Sequence, residues 1–239
     1  MNTAGGLPSS AFSCEGRTAL LGGTFNPVHI GHLRLALEVA EAMGLSRVEL
    51  LPSANPPHKP ADGLLPYDLR VKMLRAAIEG EPLLGVCLLE GELAPPSYTW
   101  NTARAWAKRH GEAALFILGD EDFACLNSWR HGLELPGIMD LVVVPRSGTP
   151  KLFIQTLERF WPGRTCHPEP FPTGALRMEM GGGRCCWFLP VPRIELSATS
   201  VRQRWLTGRS LRYLLPDGAL AVLHEHEKSI RDIWPFAAH

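Results

Sequence analysis

Neither sign of charge is in surplus in this sequence: 24 lysines and arginines stand against 24 aspartates and glutamates. A chain without net charge exerts no general pull on nucleic acid or an anionic membrane, so any anion must be held by a local pocket. Long apolar runs are missing too, and none approaches the length of a membrane span. The opening residues, MNTAGGLPSSAFSCEGR, lack the apolar stretch of a signal peptide, and a disordered tail over residues 1–17 is expected instead. The six cysteines (Cys14, Cys87, Cys125, Cys166, Cys185 and Cys186) form no C-x2-C pair, and most have apolar neighbours, as reduced cysteines of the cytosol do. Cys166-His167 and Cys185-Cys186 supply zinc-type donors, but adjacent cysteines point apart in an extended strand. Metal ligation there is the lesser reading. Three common signatures are also missing: the G-x-G-x-x-G dinucleotide fingerprint, the G-x4-G-K-[ST] P-loop and the G-x-S-x-G nucleophile turn.

What is present is an alternation of short apolar runs with helical patterns. Strands are expected at Thr18 to Gly23, Arg47 to Pro52, Val86 to Glu90, Ala114 to Gly119 and Leu141 to Pro145. Between them HLRLALEVAEAMG, YDLRVKMLRAAIEG and TWNTARAWAKRHG carry helical spacing, each closed by a glycine. Continuous apolar strands alternating with amphipathic helices imply an α/β fold: an open, doubly wound parallel sheet covered on both faces. KLFIQTLERFW has helical spacing, PGRTCHPEPFPTG reads as loop, and the stretch from Ser197 to Lys228 reads as two helices around a turn marked by Gly and Pro. No repeat or linker divides the chain, so residues 18–239 are expected to form a single domain with a C-terminal helical segment. In such folds ligands lie beyond the carboxyl ends of the strands, and the polar clusters of this chain fall there.

One of those clusters is GGTFNPVHIGHL, where the first strand hands over to a helix. Gly22 and Gly23 carry no Cβ and let backbone approach a ligand closely. His29 and His32 stand near a helix start, where unpaired N–H groups and the helix dipole favour anions, and imidazoles can donate to phosphate oxygens. A lone His-x-x-His is ordinarily a pair of polar residues, but further blocks follow: LPSANPPHKP, RVKMLRAAI, SYTWNTA, FILGDEDFACLNSW, LVVVPRSG and LSATSVRQRWLTGRSLRYLLP. In this order they resemble the His-x-Gly-His nucleotidyltransferases of Rossmann-like fold, and more narrowly the bacterial nicotinate-nucleotide adenylyltransferases. The resemblance runs from about Thr18 to His226 and thins between Arg146 and Glu195.

The resemblance implies transfer of the adenylyl group of ATP to nicotinate mononucleotide, giving deamido-NAD and pyrophosphate in NAD synthesis. By resemblance His29 and His32 contact the ATP phosphates, Lys59 neutralises phosphate charge and Arg202 forks across phosphate oxygens. Gly22, Gly23, Thr24, Phe25, Gly119, Ser197 and Thr199 belong to the ATP site, and Ser53, His58, Tyr98, Thr99, Glu121 and Trp129 to the acceptor site. Mg²⁺ is implied as a companion of ATP, held by triphosphate and water with no protein ligands. The chain departs from the family's usual pattern at Ala198 for a second Ser, at Glu121 for Asp, and at Asn26, where many relatives carry Asp. Two alternatives stay open: a same-fold transferase with another acceptor (nicotinamide mononucleotide or phosphopantetheine), or a silent nucleotide-binding protein.

Overall fold

A computed structural model describes residues 14–56, 62–146, 149–170 and 172–234. Five parallel strands come first in the chain: β1 (Thr18–Gly23), β2 (Arg47–Pro52), β3 (Leu84–Val86), β4 (Leu115–Gly119) and β5 (Asp140–Val144). Three more follow, β6 (Cys166–Pro168), β7 (Leu176–Gly181) and β8 (Arg184–Phe188). They assemble into an eight-stranded sheet of order β3-β2-β1-β4-β5-β8-β7-β6. β8 joins β5 in parallel, whereas β7 and β6 continue antiparallel. Helices α1 (Ile30–Met43), α2 (Tyr67–Ala77), α3 (Leu89–Glu92), α4 (Thr99–His110), α5 (Asp120–Ala124) and α6 (Lys151–Phe160) are interleaved with the strands. The C-terminal part adds α7 (Ala198–Leu206), α8 (Asp217–Glu225) and α9 (Glu227–Ile233). None of the described helices is long and apolar enough to cross a membrane.

The central strands are apolar on both faces because both faces are covered. Ala19, Leu21, Leu115, Ile117, Val142 and Val144 pack into one core cluster with residues of α1, α2 and the C-terminal helices. Their alternating neighbours Leu20, Phe116, Leu118, Leu141 and Val143 pack into a second, with Trp106 of α4, Phe123 of α5 and Phe153 of α6. This is the period-2 division of a doubly covered sheet. Successive connections diverge at β1, which pairs with β2 on one side and β4 on the other, with Leu21 opposite Ile117. Such a divergence opens a crevice at the carboxyl ends of the two inner strands.

Several expectations need correction. The third strand lies at Leu84–Val86 rather than Val86 to Glu90, and Leu89–Glu92 forms a helical turn. The apolar run VCLLE is too short for periodicity to separate a strand from a buried turn. PGRTCHPEPFPTG, read as loop, contains β6, and the stretch after it, which received no assignment, forms β7 and β8, so the sheet is mixed at that edge. Its hairpin turns on Gly182 and Gly183, both at positive φ (58° and 73°), the twist that suits a tight β-hairpin. The two helices expected between Ser197 and Lys228 are α7 and α8, and a further one, α9, begins at Glu227. Within the expected tail Cys14 is fully buried, which pushes its thiol pKa up to about 12, while Glu15 and Gly16 are exposed. Arg17 pairs with buried Asp140 at 2.9 Å, and Arg184 meets the same carboxylate at 3.1 Å. This buried carboxylate also accepts from the Cys185 N–H, at 2.8 Å, and so joins the chain start to β5 and β8.

Candidate active site

A cleft of about 620 Å³ opens at the carboxyl ends of β1 and β4, where the sheet order predicts it. Ten of the residues expected in the site line it: Gly22, Gly23, Thr24, His32, Ser53, Tyr98, Thr99, Gly119, Glu121 and Trp129. His58 and Lys59 lie outside the described residues. Phe25, His29, Ser197, Thr199 and Arg202 stand around the cleft rather than in its wall, and their contacts say what each supports.

The two histidines are arranged as support and presenter. His29 caps α1 and is almost fully buried; the ring of His32, one turn on, stacks over it at 3.6 Å between centroids. The His29 backbone N–H donates to His32 Nδ1 at 3.2 Å. A nitrogen that accepts carries no proton, so the proton of the neutral His32 ring sits on Nε2. Phe25 meets His32 edge-on at 5.0 Å and completes the brace. Gly31 keeps this point open, because a Cβ there would crowd both His29 Nδ1 and the Ile194 carbonyl oxygen at 3.1 Å. The segment leading into α7 therefore passes directly over the start of α1.

Two elements of the expected geometry are revised. The space beside Gly22 is filled by the Phe116 ring, 2.5 Å from where a Cβ would stand, and the space beside Gly23 by the Phe25 ring at 3.0 Å. These glycines admit aromatic neighbours under the cleft floor, and both also line the cleft. The N-terminus of α1 is not bare. Its Ile30 N–H is taken by the Leu214 carbonyl at 2.9 Å and its His32 N–H by the His29 carbonyl at 2.9 Å. Among the described residues the Gly31 N–H has no backbone acceptor, so it and the His32 side chain are the donors at this end.

Burial holds the His29 imidazole pKa down at about 4, against the ordinary 6.5. The folded protein then binds this proton more weakly than the unfolded chain, so the stability tied to the neutral ring is full above pH 6.5 and is lost as pH falls toward 4. Between those limits the wild type should lose on the order of 3 kcal/mol that a His29→Gln variant does not lose. Denaturant unfolding of both proteins across the window is the measurement. Parallel loss of stability in the two would contradict the buried neutral ring.

Two residues to which the sequence assigned no role hold the loop between β1 and α1. Arg70 of α2, 1% exposed, donates to the Thr24 carbonyl at 2.7 Å and the Leu65 carbonyl at 2.9 Å. Asn26 donates to the Gly63 carbonyl at 2.6 Å and accepts from the Leu65 N–H at 3.0 Å. An ionised Asp could not do both, which gives Asn26 a structural reason where relatives carry Asp. Arg202 reaches in from α7 and donates to the Asn26 carbonyl at 2.8 Å and to Thr199 Oγ1 at 3.2 Å. Ser197 caps α7, accepting from the Ser200 N–H at 3.1 Å. Those hydroxyls serve the helix start, and Arg202 ties it to the loop beneath the cleft.

At the far end of the cleft, Ser97 is clasped to the loop after β2: its N–H donates to the Asn55 carbonyl at 3.0 Å, and its hydroxyl accepts from the Asn55 N–H at 2.9 Å. Tyr98 caps α4, and its own N–H is used by the Pro96 carbonyl at 3.0 Å. Among the described residues the Thr99 and Trp100 N–H groups have no backbone acceptor, so these two are the donors the helix start offers. Trp129 follows the 3-10 turn Leu126–Ser128 and stands half-buried in the wall. Of the three acidic residues after β4, Asp120 is buried and accepts from the Glu121 N–H at 3.0 Å and the Arg146 N–H at 3.3 Å. Its role is to cap the strand ends. Glu121 and Asp122 face the cleft, and Glu121 pairs with Arg146 at 3.2 Å.

Comparison with known proteins places the chain in a family. The sequence pattern of the cytidylyltransferase-like family matches residues 20–204. A Pseudomonas putida protein named probable nicotinate-nucleotide adenylyltransferase is 38% identical over 213 residues, 88% of this chain and 94% of its own length. A Geobacter metallireducens protein of the same name is 34% identical over 202 residues, 84% of this chain and 92% of its own. The chain belongs to the nicotinate-nucleotide adenylyltransferase family. It is accordingly a nucleotidyltransferase. Among solved structures, the Plasmodium falciparum nicotinic acid mononucleotide adenylyltransferase complexed with NaAD superposes with a TM-score of 0.65 at 13% identity, covering 89% of this chain and 97% of that one. A putative nicotinate-nucleotide adenylyltransferase from Vibrio parahaemolyticus superposes with a TM-score of 0.56 at 15% identity, covering 88% and 93%. These two likenesses are of fold.

Proposed function

We propose that this cleft joins ATP to nicotinate mononucleotide, with the phosphate of the mononucleotide attacking the α-phosphorus of ATP and pyrophosphate departing. The observation that carries the reading is the braced His32 ring, which stands with its proton on Nε2 in a cleft formed at the switch point of the sheet. Phosphoryl-type transfer of this sort needs no protein nucleophile. It needs two phosphates held in line and charge stabilised as it shifts. His32 Nε2–H donates to an oxygen of the transferring group. Arg202, with guanidinium N–H groups beyond the two that hold Asn26 and Thr199, contacts the departing phosphates together with the start of α7. Lys59 adds a further cation by the family's pattern.

Tyr98, Thr99 and Trp129 receive the pyridine ring at the other end, and Glu121 or Asp122 faces the ribose hydroxyls. Mg²⁺ enters with ATP. By the family's pattern its oxygen donors are those of the triphosphate and of water. When bound, it neutralises charge on the pyrophosphate being released. The test uses ATP labelled at the α-phosphorus: label should appear in a dinucleotide, one for each pyrophosphate released. Label recovered only as AMP or ADP would overturn the reading.

A further inference from the structure

Arg130 follows the stacking candidate Trp129 directly, and its guanidinium lies over the ring of Tyr98 at 5.2 Å. Both residues line the cleft. Arg130 is exposed, and it makes no side-chain hydrogen bond or ion pair with any described residue. Of the two other arginines that line the cleft, Arg146 pairs with Glu121 at 3.2 Å, and Arg193 comes from the segment before α7 and has no contact with the Tyr98 ring. A permanent positive charge, set over an aromatic ring at 5.2 Å and with no hydrogen-bond or ion-pair partner among the described residues, therefore stands where the pyridine end of the acceptor is placed. Tyr98 limits the directions the guanidinium can take, which reduces the entropy lost when the fork closes on a partner. A planar carboxylate is the ligand such a fork matches in shape and charge, whereas a neutral amide offers one acceptor oxygen and opposes the fork with its own N–H₂ donors.

We propose that Arg130 is a specificity-determining residue of the acceptor site, pairing through its guanidinium with the carboxylate of an acidic pyridine mononucleotide. The inference rests on the acceptor-end placement made above and adds to it a charged side chain, beyond the N–H groups at the start of α4. It also separates two contributions within the site. Tyr98 and Trp129 present flat faces that hold acid and amide rings alike, while Arg130 distinguishes them.

The test is steady-state kinetics of the wild type, Arg130→Ala and Arg130→Gln with nicotinate and nicotinamide mononucleotides at fixed saturating ATP. In both variants kcat/KM for the acid should fall roughly ten- to thirtyfold, mainly through a higher KM, because the pair is made before and during transfer alike. The value for the amide should stay within about twofold, and the KM for ATP should not change. Arg130→Lys keeps the charge without the fork and should recover part of the loss. If the variants lost activity toward both mononucleotides equally, or toward neither, with wild-type unfolding midpoints, the assignment of Arg130 would be overturned. A wild type that adenylates neither mononucleotide would instead overturn the proposed function itself, so the two failures are distinguishable.

Discussion

Replacing His32 with alanine should lower kcat for adenylyl transfer by about a hundredfold or more while leaving the protein folded. The fold survives because the His32 ring lines the cleft and lies outside both core clusters. Activity does not, because the ring is held on three sides: backbone N–H on Nδ1 at 3.2 Å, His29 stacked at 3.6 Å, and Phe25 edge-on at 5.0 Å. A donor fixed in this way needs little reorganisation as charge moves onto the bridging and departing oxygens, the condition under which one hydrogen bond is worth several kcal/mol in the transition state. The loss should fall on kcat, with the KM for ATP changed far less, since the bond strengthens as transfer proceeds. His32→Ala protein with near-normal kcat would remove the residue from the mechanism.

How much of this is legible in the sequence differs from element to element. The central strands and their flanking helices show through period and glycine stops, because a doubly covered parallel sheet writes continuous apolar runs. Gly22 and Gly23 are visible as special, yet their reason is not. The rings that fill the missing Cβ space belong to Phe116, far along the chain, and to Phe25, and local spacing cannot tell a ligand from an aromatic neighbour. β6, β7 and β8 are hidden because they are short, rich in Arg, Glu and Cys, and separated by proline- and glycine-bearing segments. Arg70 and Asn26 carry no sequence signal of their structural role. Their importance lies in hydrogen bonds to carbonyls and an N–H that only the folded loops bring together. Arg130 is silent for a related reason: its meaning depends on Tyr98, which lies on another element and meets it only across the cleft.

The second large effect concerns the acceptor. Nicotinate mononucleotide should be favoured over nicotinamide mononucleotide by on the order of a hundredfold or more in kcat/KM. The two differ only in a carboxylate against an amide on the ring. The acceptor end of the cleft supplies donors: the Thr99 and Trp100 N–H groups at the start of α4, which have no backbone acceptor among the described residues, and the guanidinium of Arg130. A carboxylate accepts from these at both oxygens. An amide satisfies one and sets its own N–H₂ against another, leaving a donor facing a donor, a mismatch that typically costs a few kcal/mol in a site closed to water. The dipole of α4 adds to the preference, because negative charge is favoured at its N-terminal end. Stacking against Trp129 does not discriminate, since both rings are flat and aromatic.

Adenylyl transfer and acceptor choice can be read together in one competition experiment. The purified protein is incubated with ATP, Mg²⁺ and equimolar nicotinate and nicotinamide mononucleotides, and the dinucleotides formed at early times are separated and identified by mass. Deamido-NAD should be nearly the sole product, formed one for one with pyrophosphate. Formation of NAD at an equal or greater rate, or no dinucleotide from either acceptor, would contradict the proposed reaction and its specificity.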